Sequence, residues 1–561
     1  MTDLYITTSI PYVNGVPHLG HALELVHVDA LARHRGHRGG QARVQSGTDD
    51  HAIKNVSAAE TAGVPVADFV AANGIRFAEL TTALGVHTDE FLCTAGDPRH
   101  APGVGALWQA CRASGDLYTK DYTGWYCPGC EQFFTPAELD DGLCTEHRAP
   151  VVEVTETNWF FRLSRYRLQI TALVTSGQID ITPIERRSEV LGFLAGEVGD
   201  VSVSRPAART RGWGIPVPGD PGQVVYVWFD ALTNYLTGLG YGGDADDDFR
   251  RWWAGEGERV HVIGKGIVRF HAVYWIAFLL SAGLPLPTRI LVHDYLTVNG
   301  TKIAKSGVRA ADPAALVASY GADAVRWWLL RAPAPVATTD FTIERLVAAY
   351  NRDLANTLGN LVSRALTLSR RDAAWRTATT TGDVGEALRA QAAALPAAVD
   401  DALARYDFRS ACAAIVALAE AGNRFIETEA PWQLARKAEA GDADAAQRFE
   451  AVIDAVLTAC RVAADELRPA DGERADRRRG SHLRRPRAEG RRSRLRRDRR
   501  ADGSRRRPGT AGSTGRAGPG LRRLDRRGDR RRRVDRSGRP APRRGHRRRI
   551  PRRRGRAARR A

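Results

Sequence analysis

Methionine is nearly missing from this chain of 561 residues: the only one is Met1. Average usage would supply on the order of ten. Long apolar runs are missing as well. At 43% hydrophobic content the composition suits a soluble globular protein, and no stretch is long enough to span a bilayer. Nor does the amino terminus carry a basic-then-apolar leader, so a cytoplasmic protein without a membrane partner is expected. Seven cysteines in such a length do not make a secreted disulfide scaffold. Lysine is absent from Arg474–Ala561, and so are Phe, Tyr and Trp. That stretch holds 39 arginines against seven acids, a local balance of +32, so residues 1–473 carry −13 of the chain's total of +19. Having almost nothing to bury, the tail is expected to be disordered. It reads either as a basic arm adding RNA affinity or as the product of a reading-frame change near Leu467–Ala470. The body is acidic and long enough for two to four domains.

Within that body, Leu4–Ile10 is rich in β-branched and aromatic residues and stops at Pro11, while Ala22–Asp29 carries apolar residues at helical spacing. The run therefore predicts strand, loop and helix. His18-Leu-Gly-His21 falls at the helix start, where two imidazoles three positions apart point the same way and free N–H groups favour an anion. Gly20, without a Cβ, lets a flat ring or a phosphate approach the backbone. Gln41–Asn55 predicts a second strand with Asp49, Asp50 and His51 at its carboxyl end, where open parallel sheets place ligands. Helices are expected over Ala58–Leu84 and Gly103–Ser114. The alternation of strand and helix implies a parallel sheet.

Three of the cysteines cluster in residues 127–144. Cys127-Pro-Gly-Cys130 and Cys144-Thr-Glu-His147 form two ligand pairs, each closed by a two-residue gap, the spacing of a four-coordinate structural zinc knuckle. Further on, Val224–Leu236 turns from strand to helix and sets Trp228, Leu232 and Tyr235 on one face. Arg259–Leu280 repeats the strand–turn–helix pattern, with Lys265 in a Gly-Lys-Gly turn and a helix starting near Phe270 and His271. Lys302 and Lys305 follow the turn at Val298–Thr301, where two ammonium groups on a short loop can close on a polyphosphate. From about Ala348 to Leu467 the periodicity predicts a helical bundle.

In that order, Pro11-Tyr12 with His18–His21, Gly47-Thr-Asp49, the cysteine knuckle, Asn158–Tyr166, Trp213–Pro218, Val227–Tyr235, Phe270-His271, Lys302–Ser306, Asn356–Arg364 and Ala430-Pro-Trp432 resemble the methionyl-tRNA synthetases of class I. The resemblance runs from residue 4 to about 468. It implies an α/β class I Rossmann catalytic domain in two halves, 1–115 and 196–300, split by a zinc-knuckle insertion at 116–195. A signature-loop and stem-contact region at 301–347, a helical anticodon-binding domain at 348–470 and the arginine-rich tail at 471–561 would follow. The implied reaction joins methionine to ATP with Mg²⁺, releases pyrophosphate, and passes the methionyl group to the 3′ end of tRNA; a monomer is expected. His18, Gly20, His21, Lys265 and Lys305 would bind ATP, with His18, His21, Lys302 and Lys305 catalytic. Ile10, Tyr12, Trp228, Leu232, Tyr235, Phe270 and His271 would line the amino-acid pocket, and Asp49 would hold the α-ammonium. Cys127, Cys130, Cys144 and His147 would bind Zn²⁺. Asn360, Arg364 and Trp432 would meet the anticodon.

The sequence also departs from the family. It reads Lys302-Ile-Ala-Lys-Ser306 where Met and Ser usually stand second and third, Gly266 replaces an aspartate that helps hold the ATP ribose, and Val308-Arg309 replaces Gly-Asn. With the shortage of methionine, these changes suggest a second copy. Two alternatives follow: a paralogue that activates another amino acid or charges another acceptor, or an inactive one that only binds tRNA.

Overall fold

The computed structural model describes residues 2–128, 132–134, 136–145, 148–302, 312–370 and 383–470. Strand β1 (Leu4–Thr8) leads through the Pro11–Pro17 loop into helix α1 (Leu19–His37), which returns to β2 (Ala42–Thr48). Every residue from Ala22 to Leu31 is buried. A helix buried on all sides must pair each polar group it carries. Asp29 does so with Arg33 at 2.7 Å and Arg326 at 2.6 Å.

The expected helix over Ala58–Leu84 is two helices, α2 (Ile53–Ala62) and α3 (Val66–Ala83). Gly63 takes the left-handed conformation (φ +70°) that ends α2, and Pro65 caps the start of α3. Proline tolerates a helix beginning but not its interior. Strand β3 (Glu90–Cys93) and helix α4 (His100–Ala113) complete the first half.

Two long strands, β4 (Leu117–Cys127) and β5 (Val152–Phe161), then pair antiparallel along ten residues. They form the core of a separate four-stranded sheet with Gln132–Phe134 and Val201–Ser202 at its edges. A three-residue strand, β6 (Asp180–Thr182), lies within 116–195 but belongs to the main sheet. The second half supplies helix α5 (Val227–Thr237), β7 (Glu258–Gly264) and β8 (Arg289–His293).

The main sheet runs β3-β2-β1-β7-β8-β6, and every pairing in it is parallel. The order reverses at β1, and the cleft beside such a reversal, at the carboxyl ends of the strands, is where this architecture takes ligands. Beyond β8 a tight hairpin joins Leu296–Val298 to Thr301–Lys302 through Asn299 (φ +51°) and Gly300 (φ +74°), the two left-handed residues such a turn needs. The Asp340 carboxylate accepts from the Gly300 N–H at 2.6 Å and the Thr297 hydroxyl at 2.8 Å.

The carboxyl-terminal part is helical, as expected. Helix α6 (Ala322–Arg331) packs on α1 and is followed by α7 (Asn360–Ser369), α8 (Glu386–Ala404), α9 (Phe408–Glu429), α10 (Pro431–Glu439) and α11 (Ala443–Leu467). One apolar core runs from β1 and α1 through α6 into this bundle. No described helix is long and apolar enough to cross a membrane.

Candidate active site

Of the residues expected around the nucleotide, His18, Gly20 and His21 follow β1, and Lys265 follows β7, its neighbour in the sheet. His18 caps α1: its Nδ1 accepts the N–H of Gly20 at 3.1 Å, and His21 Nδ1 accepts the N–H of His18 at 3.1 Å. The two rings stack, with centroids 3.7 Å apart and planes 14° from parallel. Burial lowers the pKa of His18 to about 4; for His21, burial and then the neighbouring His18 and His293 push it well below the ordinary value. Both rings are therefore neutral near pH 7. With each Nδ1 accepting, the proton of each ring is on Nε2. The site thus holds two neutral N–H donors at a helix start, where unpaired backbone N–H groups add to them.

A Cβ on Gly20 would come within 2.9 Å of His18 Cε1, so the absence of a side chain there also makes room for the capping ring.

At the end of β2, Gly47 leaves no room for a side chain: a Cβ would stand 2.1 Å from the Leu92 carbonyl oxygen and 3.2 Å from Ile10 Cγ2. Asp49 is buried just beyond, its N–H donating to the Pro11 carbonyl at 2.9 Å, and it bridges to Tyr12 in parallel register. Tyr12, Trp228 and Phe270 form an aromatic wall in which Trp228 lies flat on Phe270, 3.7 Å between centroids and 3° from parallel. Behind it, His271 Nδ1 donates to the Ile267 carbonyl at 3.0 Å and its Nε2 accepts the Tyr235 hydroxyl at 2.8 Å. Burial lowers the His271 pKa to about 4, keeping that ring neutral. Leu232 and Tyr235 are both buried on α5. Tyr12, Trp228, Leu232, Tyr235, Phe270 and His271 thus lie about one apolar, aromatic region, with Ile10 beside Gly47 and Asp49 bridged to Tyr12.

Glu24 and His293, at this edge of the sheet, belong to no motif that the sequence singled out, and they stand among groups that do. Glu24, on the buried face of α1, accepts from the Ser9 N–H at 3.0 Å, the Ser9 hydroxyl at 2.5 Å and His293 Nε2 at 3.0 Å. His293 Nδ1 faces the Asp294 carbonyl at 2.9 Å. Burial opposes a charge on His293, but Glu24 outweighs it and raises the pKa. Lys265 forms an ion pair with Asp294, which also takes Arg186 at 2.6 Å. Next to it, a Cβ on Gly266 would meet the Tyr295 hydroxyl at 2.2 Å, so the absence of a side chain at this position makes room for that hydroxyl. His51 and His100 hold Asp230 between them at 2.7 and 2.6 Å. Burial disfavours the Asp230 charge, yet the two imidazoles pull its pKa below the carboxylate range; His51 is raised in turn, Asp230 outweighing burial. A charged residue inside an apolar helical run, such as Glu24 in Ala22–Leu31, was the available signal.

Lys302 ends the hairpin strand, and its side chain, like Lys305, lies outside the described residues. Cys127 and Cys144 are buried in one small cluster with Phe134, whereas Cys130 and His147 lie outside the described residues. Among the described residues no group of three metal-binding side chains occurs. In the bundle, Asn360 Nδ2 donates to Asn423 Oδ1 at 3.0 Å and Arg364 donates to Glu427 at 3.3 Å, one turn further along both helices. Trp432, 37% exposed, follows the left-handed Ala430 at the end of α9. The three expected anticodon residues thus gather about one helix end.

A parallel sheet whose first strand feeds a His-x-Gly-His helix start defines a class of nucleotide-using enzyme, and the family model described as "tRNA synthetases class I (M)" matches residues 4–150 and 134–366. A methionine–tRNA ligase of Mycobacterium tuberculosis is 39% identical over 486 residues, covering 85% of this chain and 91% of that protein. That of Mesorhizobium japonicum is 39% identical over 438 residues, covering 77% and 83%. Among solved structures, the M. tuberculosis methionyl-tRNA synthetase bound by methionyl-adenylate superposes with a TM-score of 0.78 at 36% identity, covering 84% of this chain and 92% of that one. Its apo form gives 0.73 at 35% identity. The chain belongs to the class I methionyl-tRNA synthetase family.

Proposed function

We propose that this chain is a methionine–tRNA ligase that activates methionine with ATP and transfers it to the 3′ end of tRNA. The observation that carries the reading is the stacked imidazole pair at the start of α1, neutral and protonated on Nε2, above the carboxyl edge of a parallel sheet. The methionine carboxylate attacks the α-phosphorus, and pyrophosphate departs. In-line displacement at phosphorus needs positioning and charge neutralisation more than covalent help. His18 and His21 donate to the phosphate oxygens, and Lys302 and Lys305 would neutralise the departing pyrophosphate, whose charge a bound Mg²⁺ would help to offset. Asp49 holds the α-ammonium, and the wall of Tyr12, Trp228 and Phe270 receives the thioether, a group that favours aromatic contacts.

Zn²⁺ held by Cys127, Cys130, Cys144 and His147 fits the burial of Cys127 and Cys144 in one cluster. Four protein ligands leave no open position, so that ion would fix the loop between β4 and β5 rather than take part in the reaction. Asn360, Arg364 and Trp432 offer polar groups and a stacking face to the anticodon, as recognition of single-stranded RNA requires.

Pyrophosphate exchange across a panel of amino acids is the test. Methionine-dependent exchange is expected, and exchange with another amino acid instead would overturn the assignment. Gly266 supports a second reading, binding of tRNA without catalysis, because it stands where the family commonly has the aspartate that helps hold the ATP ribose. Tight tRNA binding with no exchange would select it.

A further inference from the structure

Behind the wall of Tyr12, Trp228 and Phe270 runs a chain of hydrogen bonds. The Trp275 indole N–H donates to His261 Nε2 at 3.2 Å, which leaves the proton of that ring on Nδ1, 2.8 Å from the Thr7 hydroxyl. Thr7 and His261 stand opposite each other in the parallel pairing of β1 with β7, and the His261 ring lies 4.2 Å from that of Tyr235 on α5. Burial and then Glu24 push the Tyr235 phenol up, while hydrogen bonds from Asn234 and Thr7 oppose the rise. The Tyr235 hydroxyl donates to His271 Nε2 at 2.8 Å, and His271 Nδ1 donates to the Ile267 carbonyl at 3.0 Å.

The two ends fix the direction. An indole N–H only donates and a backbone carbonyl only accepts, so one arrangement of both imidazole tautomers and both hydroxyls satisfies every bond. Thr7, His261 and Trp275 are fully buried, and Tyr235 and His271 nearly so. Burial, then His271 beside it, holds His261 well below the ordinary histidine value, so the ring stays neutral and accepts and donates at once. Interrupting such a chain leaves a buried donor or acceptor unpaired.

Both ends also belong to one part of the fold. Trp275 and His271 lie in the π-helical turn Phe270–Trp275, a form frequent at functional sites, and Ile267 comes just before it. His271 meets Trp228 edge-on, 6.3 Å between centroids at 81°, while its neighbour Phe270 carries the Trp228 ring flat. We propose that His261 is a positioning residue for methionine: through Thr7 and Tyr235 it holds His271, and with it the Trp228–Phe270 wall, in the arrangement that receives the thioether. This rests on the function proposed above.

The test is pyrophosphate exchange by the full chain, with KM and kcat measured separately for methionine and ATP. Thr7→Val, which nearly keeps the shape and removes the hydroxyl, is expected to raise the methionine KM about five- to tenfold while leaving kcat and the ATP KM within about twofold, the pattern of lost ground-state binding. Thr7→Ser, which keeps the hydroxyl and loses a methyl, should stay within about twofold of the natural protein in all three. A packing role predicts the opposite order, since serine leaves a void and valine does not. In Tyr235→Phe, whose chain is already broken, Thr7→Val should add nothing further. His261→Leu should match Thr7→Val, and the two Thr7 variants decide the matter if it does not fold. An unchanged methionine KM in Thr7→Val, an equal rise in the ATP KM, or a serine variant weaker than the valine one overturns this proposal alone. Absence of methionine-dependent exchange in the natural protein overturns the function on which it rests.

Discussion

His18 and His21 owe their chemistry to what surrounds them. Burial makes them neutral, and the capping bonds decide which nitrogen keeps the proton. Replacing His18 with alanine removes one donor from the phosphates and should slow pyrophosphate exchange by on the order of 100-fold, about 3 kcal/mol, in steady-state assays at saturating methionine. Because both rings are neutral well above pH 4, ATP affinity measured by titration from pH 6.5 to 8 should not track their ionisation. Cationic rings would instead lose affinity as the pH rose. Gly20→Ala places a methyl 2.9 Å from His18 Cε1 and should lower exchange by displacing that ring, with a smaller effect on the melting temperature. The spacing of this tetrapeptide was legible in the sequence; its neutrality was not, because it depends on residues packed from Phe77 to His293.

At the scale of elements, Asp230 ties three together: its own helix α5, the turn after β2 through His51, and α4 through His100. Asp230→Asn would leave two buried imidazoles without their counter-charge and should cost about 3–5 kcal/mol in denaturant unfolding. The sign of the pH dependence follows from His51. Its pKa is raised by Asp230 in the folded state, so its contribution is complete below the unfolded value of about 6.5 and is lost as the pH rises through the folded value. His51→Gln should therefore flatten the decline of melting temperature on the alkaline side, read from thermal scans between pH 6 and 9. Sequence periodicity located β1, β2, β7 and the helical bundle, because their apolar residues recur at fixed intervals. It missed β3, β6 and β8, short strands of three to five residues that are fixed by pairing with neighbours in the sheet, and it ran α2 and α3 together across Gly63 and Pro65. Partnerships such as Asp230 with His51 and His100 join positions more than a hundred residues apart, and no local pattern carries them.

For the molecule as a whole, three buried imidazoles, His27, His261 and His271, and two half-buried ones, His18 and His21, are held below the ordinary histidine value chiefly by desolvation. Each is neutral when folded and takes up a proton when unfolded below about pH 6.5, so stability is lost as the pH falls from there towards 4. Thermal scans across that window should show the melting temperature dropping steeply. Residues 474–561 hold +32 of the charge. Deleting them should leave melting and methionine activation unchanged while reducing the slope of log affinity for tRNA against log salt, as loss of phosphate contacts requires.

One buried guanidinium sets a limit on where the chain can stop. Arg326 is fully enclosed and donates to Asp29 at 2.6 Å, the Leu84 carbonyl at 3.2 Å, and the carbonyls of Pro469 and Ala470 at 3.1 and 3.0 Å. A nascent chain still lacking those two carbonyls leaves its guanidinium half satisfied inside a closed core. The three residues that follow α11 therefore act as a latch on the body of the fold: a chain cut ahead of Pro469 loses two of the four acceptors that let α6 seat its guanidinium against α1.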